Sequence, residues 1–440
     1  MPLTKDPIRK TLIGLAWPLW FGIVAIILFS IVDTMYIGRL GAKELAAMGF
    51  LFPIVFIVQS LVMGIGIGAS ATVAKALGQK NHHKASGLST DALFLGLVIS
   101  IIINIAGMTT INPLFTLLGA DAQMIELIKQ YIIPWFLGSW LLVIPMVGNS
   151  AIRATGDTKT PSIIMIIGGL TNAIIDPFLI FGIGPFPALG LQGAALATVI
   201  SWIFTFFASI YFLKKLHLLS AIQIPRMIQS WKTILHIGAP TAGTFMLGPI
   251  TSGILTTMIA KHGEYAVAAF GVGTRLEALA LTGIFALSSS MTPFIGQNYG
   301  AKLRNRIEEG IREGFKLGMQ WGAFVFIILA LGAPLIAWMF TTQASVAQYI
   351  QWYLWIVPIS YALLAVSMIA NASLTALHKP YYASLIVFIR LILFAVPFAY
   401  LGSKLFGYQG ILLGISVANI GIGIIAMQII KKYAHNKIIT

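Results

Sequence analysis

Residues 171–177 read TNAIIDP, and the acid in that stretch, Asp176, stands among Ile174, Ile175, Phe178, Leu179 and Ile180. The apolar run around it is long enough to cross a bilayer. A carboxylate at that depth costs several kcal/mol unless it is protonated, ion-bound or hydrogen-bonded, so an acid there marks function. Asn172 lies four residues earlier, which on a helix puts both side chains on one face. Two other acids stand well inside apolar spans, Asp33 and Glu277.

The surroundings of that stretch extend over the whole chain. Of 440 residues, 58% are hydrophobic and 9% charged, with a mean hydropathy of +0.91. Soluble domains carry about 25% charged residues, so a soluble protein is excluded. The net charge of +15 is read as basic loops against anionic lipid rather than as a nucleic-acid surface. With no cysteine there are no disulfides, thiolate metal sites or cysteine nucleophiles. Neither a histidine cluster nor an HExxH or Gly-x-Ser-x-Gly motif is present, so an enzyme is not expected, and no cofactor is implied. The basic N-terminus runs into an apolar stretch without a small-residue cleavage site. It is read as a first span and not as a removed leader.

Apolar runs predict twelve spans, at 12–37, 47–72, 91–113, 130–153, 160–182, 189–213, 235–260, 268–294, 317–341, 350–375, 381–404 and 409–430. The polar linker 214–234 contains Pro225, and its part 227–234 is read as a helix lying along the cytoplasmic surface. With both termini cytoplasmic, 21 lysines and arginines fall inside and 5 outside, while Arg275 and Arg390 lie within spans.

The chain also repeats. KTLIGLAWP, ending at Pro18, returns as KTILHIGAP, ending at Pro240, and Tyr131 and Asn149 find Tyr353 and Asn371 at the same shift of 222. Each half holds six spans, so both halves start on the same side. The expected fold is all-α and integral to the membrane. Its twelve transmembrane helices form two six-helix lobes, 1–213 and 235–440, related by a pseudo-twofold axis along the membrane normal. Such duplicated halves are built for alternating access.

The acids do not follow the repeat: Asp33 falls opposite Leu255, Asp176 opposite Val396 and Thr198 opposite Ile415. Asp33 should lie ~6 Å below the outer end of span one, and Thr198 ~14 Å down span six. Asp33, Asn172, Asp176 and Thr198 are therefore expected to meet in the outer half of the first lobe. Their oxygens suit a hard cation such as sodium, and two close carboxylates equally suit a shared proton. Pro18, fifteen residues before Asp33, removes a backbone hydrogen bond and is a candidate hinge. Glu277 is expected to pair with Arg390 rather than with Arg275, two residues away and on another face. Tyr131, Asn149 and Met165 are candidate substrate contacts, since methionine and aromatic side chains repack around varied apolar ligands.

Asp33, GNSAIRATGDTKTPS (residues 148–162), NAIIDP, QGAALATVIS (residues 192–201) and GQNYGA (residues 296–301) together resemble the multidrug and toxic compound extrusion (MATE) transporters, over nearly the whole chain. The likeness is to the DinF-like branch. The NorM-like branch carries an acid in the seventh span where this chain has Gly248. The resemblance implies a cation site at Asp33, Asn172, Asp176 and Thr198, with Tyr131, Asn149 and Met165 near the drug pocket. It also implies a monomer in the cell (inner) membrane that exports small organic compounds against protons or sodium. The alternative within the superfamily is a lipid-linked oligosaccharide flippase, which would call for a more basic cavity than Arg275 and Arg390 provide.

Overall fold

The computed structural model describes residues 3–436, and all regular structure among them is helical. The helices are α1 (Ile8–Leu40), α2 (Ala42–Gly78), α3 (His82–Leu117), α4 (Ala122–Gly138), α5 (Trp140–Ala154), α6 (Lys159–Phe181), α7 (Leu191–Lys215) and α8 (Ile224–Ala260). They are followed by α9 (Glu264–Ala280), α10 (Thr282–Gly300), α11 (Arg304–Phe340), α12 (Ala344–Ile356), α13 (Tyr361–Ala376), α14 (Pro380–Phe388) and α15 (Val396–Asn436). A 3₁₀ turn at Pro358–Ser360 joins α12 to α13, and a π-helical segment, Ile389–Ala395, joins α14 to α15.

These fifteen helices make twelve spans. Among the described residues, nine stretches are long and apolar enough to cross a membrane, and two pairs bent by 54° (α4–α5) and 43° (α9–α10) bring the number to eleven. The twelfth appears because the stretch Pro380–Lys432 breaks at Phe406 and Gly407, where φ reaches +60° at the glycine. The backbones of Gly402 and Gly410 approach so closely across this break that neither could carry a side chain. The outer face of α11 exposes Phe324, Ile327, Leu331, Leu335 and Trp338, as lipid requires.

Two compact units emerge, one of residues 21–242 and the other of residues 1–20 with 243–440. The division expected at the 214–234 linker is thereby corrected. It falls inside α1, between Trp20 and Phe21, and inside α8, between Ala242 and Gly243. Both places lie two residues after a repeated proline, Pro18 and Pro240, and are 222 residues apart. Packing explains the position. Leu12 and Leu15 at the start of α1 are buried with Leu287, Met291 and Phe294, whereas Ile37 at its end is buried with Ile132 and Ile180. Ile234 at the start of α8 is buried with Ile65 and Leu93.

The segment 227–234 is not a separate surface helix. It forms the first turns of α8, because Pro225 occupies a first-turn position where its missing N–H costs nothing. Arg226 next to it fixes the linker to α3. Its Nε and Nη2 each donate to an Asp91 carboxylate oxygen at 3.1 Å, Nη2 also donates to the Ala221 carbonyl at 3.0 Å, and Trp231 Nε1 donates to the Asp91 carbonyl at 2.9 Å. The Asp91 carboxylate is fully buried. Arg226→Ala is expected to cost about 2 kcal/mol by leaving that charge unpaired. The measurement is thermal unfolding of the detergent-purified protein. Asp91→Ala added to Arg226→Ala should cost little more, and fully additive losses would show that the pair is not coupled.

Candidate functional site

The site in residues 21–242 begins with two helices running side by side in register. A side chain at Gly22 on α1 would press on Ser162 of α6 at 3.2 Å, and one at Gly169 on α6 would run into the Phe29 ring of α1. Both contacts are seven residues apart on each helix, so α1 and α6 are parallel. Glycine at 169 lets Phe29 close on α6, and Asp33, one turn beyond Phe29, then comes level with Asp176. On the other side of α6, Gly193 of α7 lies against the backbone of Leu179 and Ile180, which brings Thr198 to the same level.

The carboxyl groups of Asp33 and Asp176 are within hydrogen-bonding reach of each other. Asp176 is fully buried. Its Oδ1 accepts from Asn172 Nδ2 at 3.2 Å, and the same amide nitrogen reaches Thr198 Oγ1 at 3.4 Å. Thr198 donates to the Ala194 carbonyl at 3.0 Å, and the Tyr131 side chain on α4 lies beside its hydroxyl. Asp33 Oδ1 and Asp176 Oδ2 have no protein donor although both are buried. Two carboxyl groups in contact lack a donor unless one of them holds a proton.

The structure thus brings Asp33, Asn172, Asp176 and Thr198 together and adds Tyr131, considered from the sequence as a substrate contact. Met165 stands on the same face of α6, two turns or ~10 Å before Asn172, and is half-buried. Asn149 lies elsewhere. It is buried on α5, where its Oδ1 accepts from Ser209 at 3.3 Å, three turns along α7 from Thr198. Pro18 sits inside an unbroken α1, two residues before that helix passes from one unit to the other.

The other unit holds a second polar cluster. Glu277 Oε2 accepts from Tyr353 at 2.5 Å and from Tyr361 at 3.1 Å. Arg390, in the π-helical segment, acts on Glu277 by its charge without closing to ion-pair distance, so the expected Glu277–Arg390 pair is replaced by two tyrosines. Tyr353 is the repeat partner of Tyr131, so the same tyrosine serves an acid cluster in each half. That role was latent in the shift of 222. Tyr361 had no such signal, because it comes near only where the 3₁₀ turn redirects the chain.

The MatE family model matches residues 18–178 and 240–401, one stretch in each half. The chain belongs to the MatE family. The described helices therefore are those of a multi-pass membrane transporter. A FAD transporter of Shewanella oneidensis is 38% identical over 96% of this chain and 94% of its own length. A probable multidrug resistance protein NorM of Thermotoga maritima is 27% identical over 92% and 88%. Among solved structures, the Vibrio cholerae MATE transporter VcmN in its bent form is 30% identical, superposes with a TM-score of 0.93 and covers 97% of both chains. Exchanging a cation at a buried acid is what the arrangement can do.

Proposed function

We propose that this MatE protein is an antiporter that exports amphipathic organic compounds against protons. It would act as a single chain in the cell (inner) membrane with both termini in the cytoplasm, as the bias of basic residues supports. The carrying observation is the contact between Asp33 and Asp176, which lacks a donor until a proton is placed there. Asn172 supports a role for Asp176 in either protonation state, because its amide nitrogen donates to the Asp176 carboxyl oxygen. The choice of proton over sodium is part of the proposal, and the liposome test decides it.

In the proposed cycle, protonation of the pair removes a buried charge and frees α1 to bend near Pro18, where a backbone hydrogen bond is already missing. Substrate leaves outward as the proton enters, and the membrane potential contributes about 2.3 kcal/mol per charge per 100 mV. Tyr131 and Met165 are proposed to border the path of the substrate. The test uses proteoliposomes with proton and sodium gradients imposed separately. Ethidium movement driven by the proton gradient alone is expected, and movement driven only by sodium would overturn the proton reading. A second reading of the cargo, a phosphorylated flavin, is favoured by the 38% identity with the FAD transporter.

A further inference from the structure

The polar groups of α9 are not all accounted for by the Glu277 cluster. Glu264, Ala268, Gly271, Arg275 and Ala278 are exposed and follow each other at three or four residues, so they form one face. A lipid-facing surface in this protein looks different, as the large side chains of α11 show. Here Ala268, Gly271 and Ala278 beside Arg275 are small, Leu279 is the one large apolar side chain next to it, and the arginine is the one cation on this face. It stands eleven residues into α9, ~16 Å from the helix start and so near mid-membrane depth.

Arg275 makes no hydrogen bond or ion pair with any described residue. Glu277, the nearest acid in sequence, points from another face and has Tyr353 and Tyr361 on its carboxylate, with Arg390 as its cationic neighbour. An arginine cannot shed its charge in a protein. Inside a span it must therefore face water or a ligand. Its planar fork of donors matches the oxygens of a phosphate, two at a time.

We infer that Arg275 is an anion-recognising residue of this transporter and takes the phosphate of an aromatic organophosphate cargo. The inference rests on the transport reading above, takes up its second cargo, and adds the residue that selects it. The small side chains at Ala268, Gly271 and Ala278 leave room beside the guanidinium for the aromatic part. A lipid headgroup offers the same phosphate chemistry, so the test separates the two sources.

The experiment reconstitutes the full chain in phosphatidylcholine vesicles, with and without phosphatidylglycerol, and follows proton-driven movement of flavin mononucleotide, riboflavin and ethidium. The wild type is expected to move flavin mononucleotide in both lipids and to prefer it to riboflavin. Arg275→Gln is expected to raise KM for flavin mononucleotide roughly 10- to 100-fold, lowering its preference over ethidium by the same factor. Arg275→Lys, which keeps the charge and loses the fork, should fall between and serves if the glutamine variant does not fold. An unchanged preference in both variants overturns the inference, whether all transport drops or none does. A loss seen only in phosphatidylglycerol vesicles and for every cargo assigns Arg275 to the lipid and also overturns it. Wild-type movement of ethidium without flavin mononucleotide overturns it while leaving the antiporter reading intact. Movement of neither under any gradient defeats the antiporter reading itself.

Discussion

Asp33→Asn is expected to abolish proton-driven export while leaving a protein that inserts and purifies like the wild type. An amide has the shape of the carboxyl group and can donate to Asp176, so the local packing survives. It cannot take up or release a proton, so the exchange that drives the cycle stops, with a loss of at least about 100-fold in transport rate. The measurement is ethidium efflux under an imposed proton gradient, with expression level and unfolding temperature as controls. Transport within a few-fold of wild type would remove Asp33 from the coupling site. The fully buried Asp176 is expected to behave alike on Asp176→Asn, but at a greater cost in folding, because its Oδ1 would lose the charge that Asn172 serves.

The second large effect is on packing. Gly64 and Gly68 of α2 face the first half of α8. A side chain at Gly68 would meet the Ile234 carbonyl oxygen at 2.5 Å, and one at Gly64 would meet the Gly238 carbonyl oxygen at 2.5 Å. The contact is backbone against backbone, as small residues four apart allow between membrane helices. Gly68→Leu has no flexible side chain to displace, so the helices must separate. The expected cost is about 3 kcal/mol or more, seen as a lower unfolding temperature and a collapse in yield. Gly243, whose added side chain would meet nothing within 4 Å, is the control, and Gly243→Ala should leave the protein close to wild type. Equal losses at both positions would show that glycine matters there for reasons other than close approach.

Much of the fold could be read from the amino acids because its signals are intrinsic to short stretches. Apolar runs predict the spans within several residues, and a shift of 222 that carries KTLIGLAWP onto KTILHIGAP predicts the duplication. The same repeat contained the division of the chain, yet reading it required packing. Nothing local in WPLWF or APTAG says that Leu15 is buried with Met291 or Ile234 with Leu93. Pro225 misled for a related reason, since a proline reads as a break until its place in a first turn is known.

The acid cluster was legible in part. An acid in TNAIIDP declares itself by its cost, and spacing pairs it with Asn172. Depth along each span brings Asp33 and Thr198 into the outer half of the same lobe. What depth cannot give is rotation about a helix axis. Tyr131 meets Thr198 and Asn149 meets Ser209 because α4 and α5 are bent against each other by 54° at Ser139, a bend with no unambiguous mark in the sequence. The partners of Glu277 were hidden in the same way, since two tyrosines eight residues apart share one carboxylate oxygen only after the turn at Pro358.

A proton held between Asp33 and Asp176 and released when substrate binds couples the cycle, and the direct measurement is proton release itself. Purified protein in weakly buffered detergent with a pH-sensitive dye is mixed with ethidium at a pH where the pair is occupied. About one proton is expected to be released per substrate bound by the wild type, and none by Asp33→Asn at equal occupancy. The same proton release from both proteins would contradict this coupling.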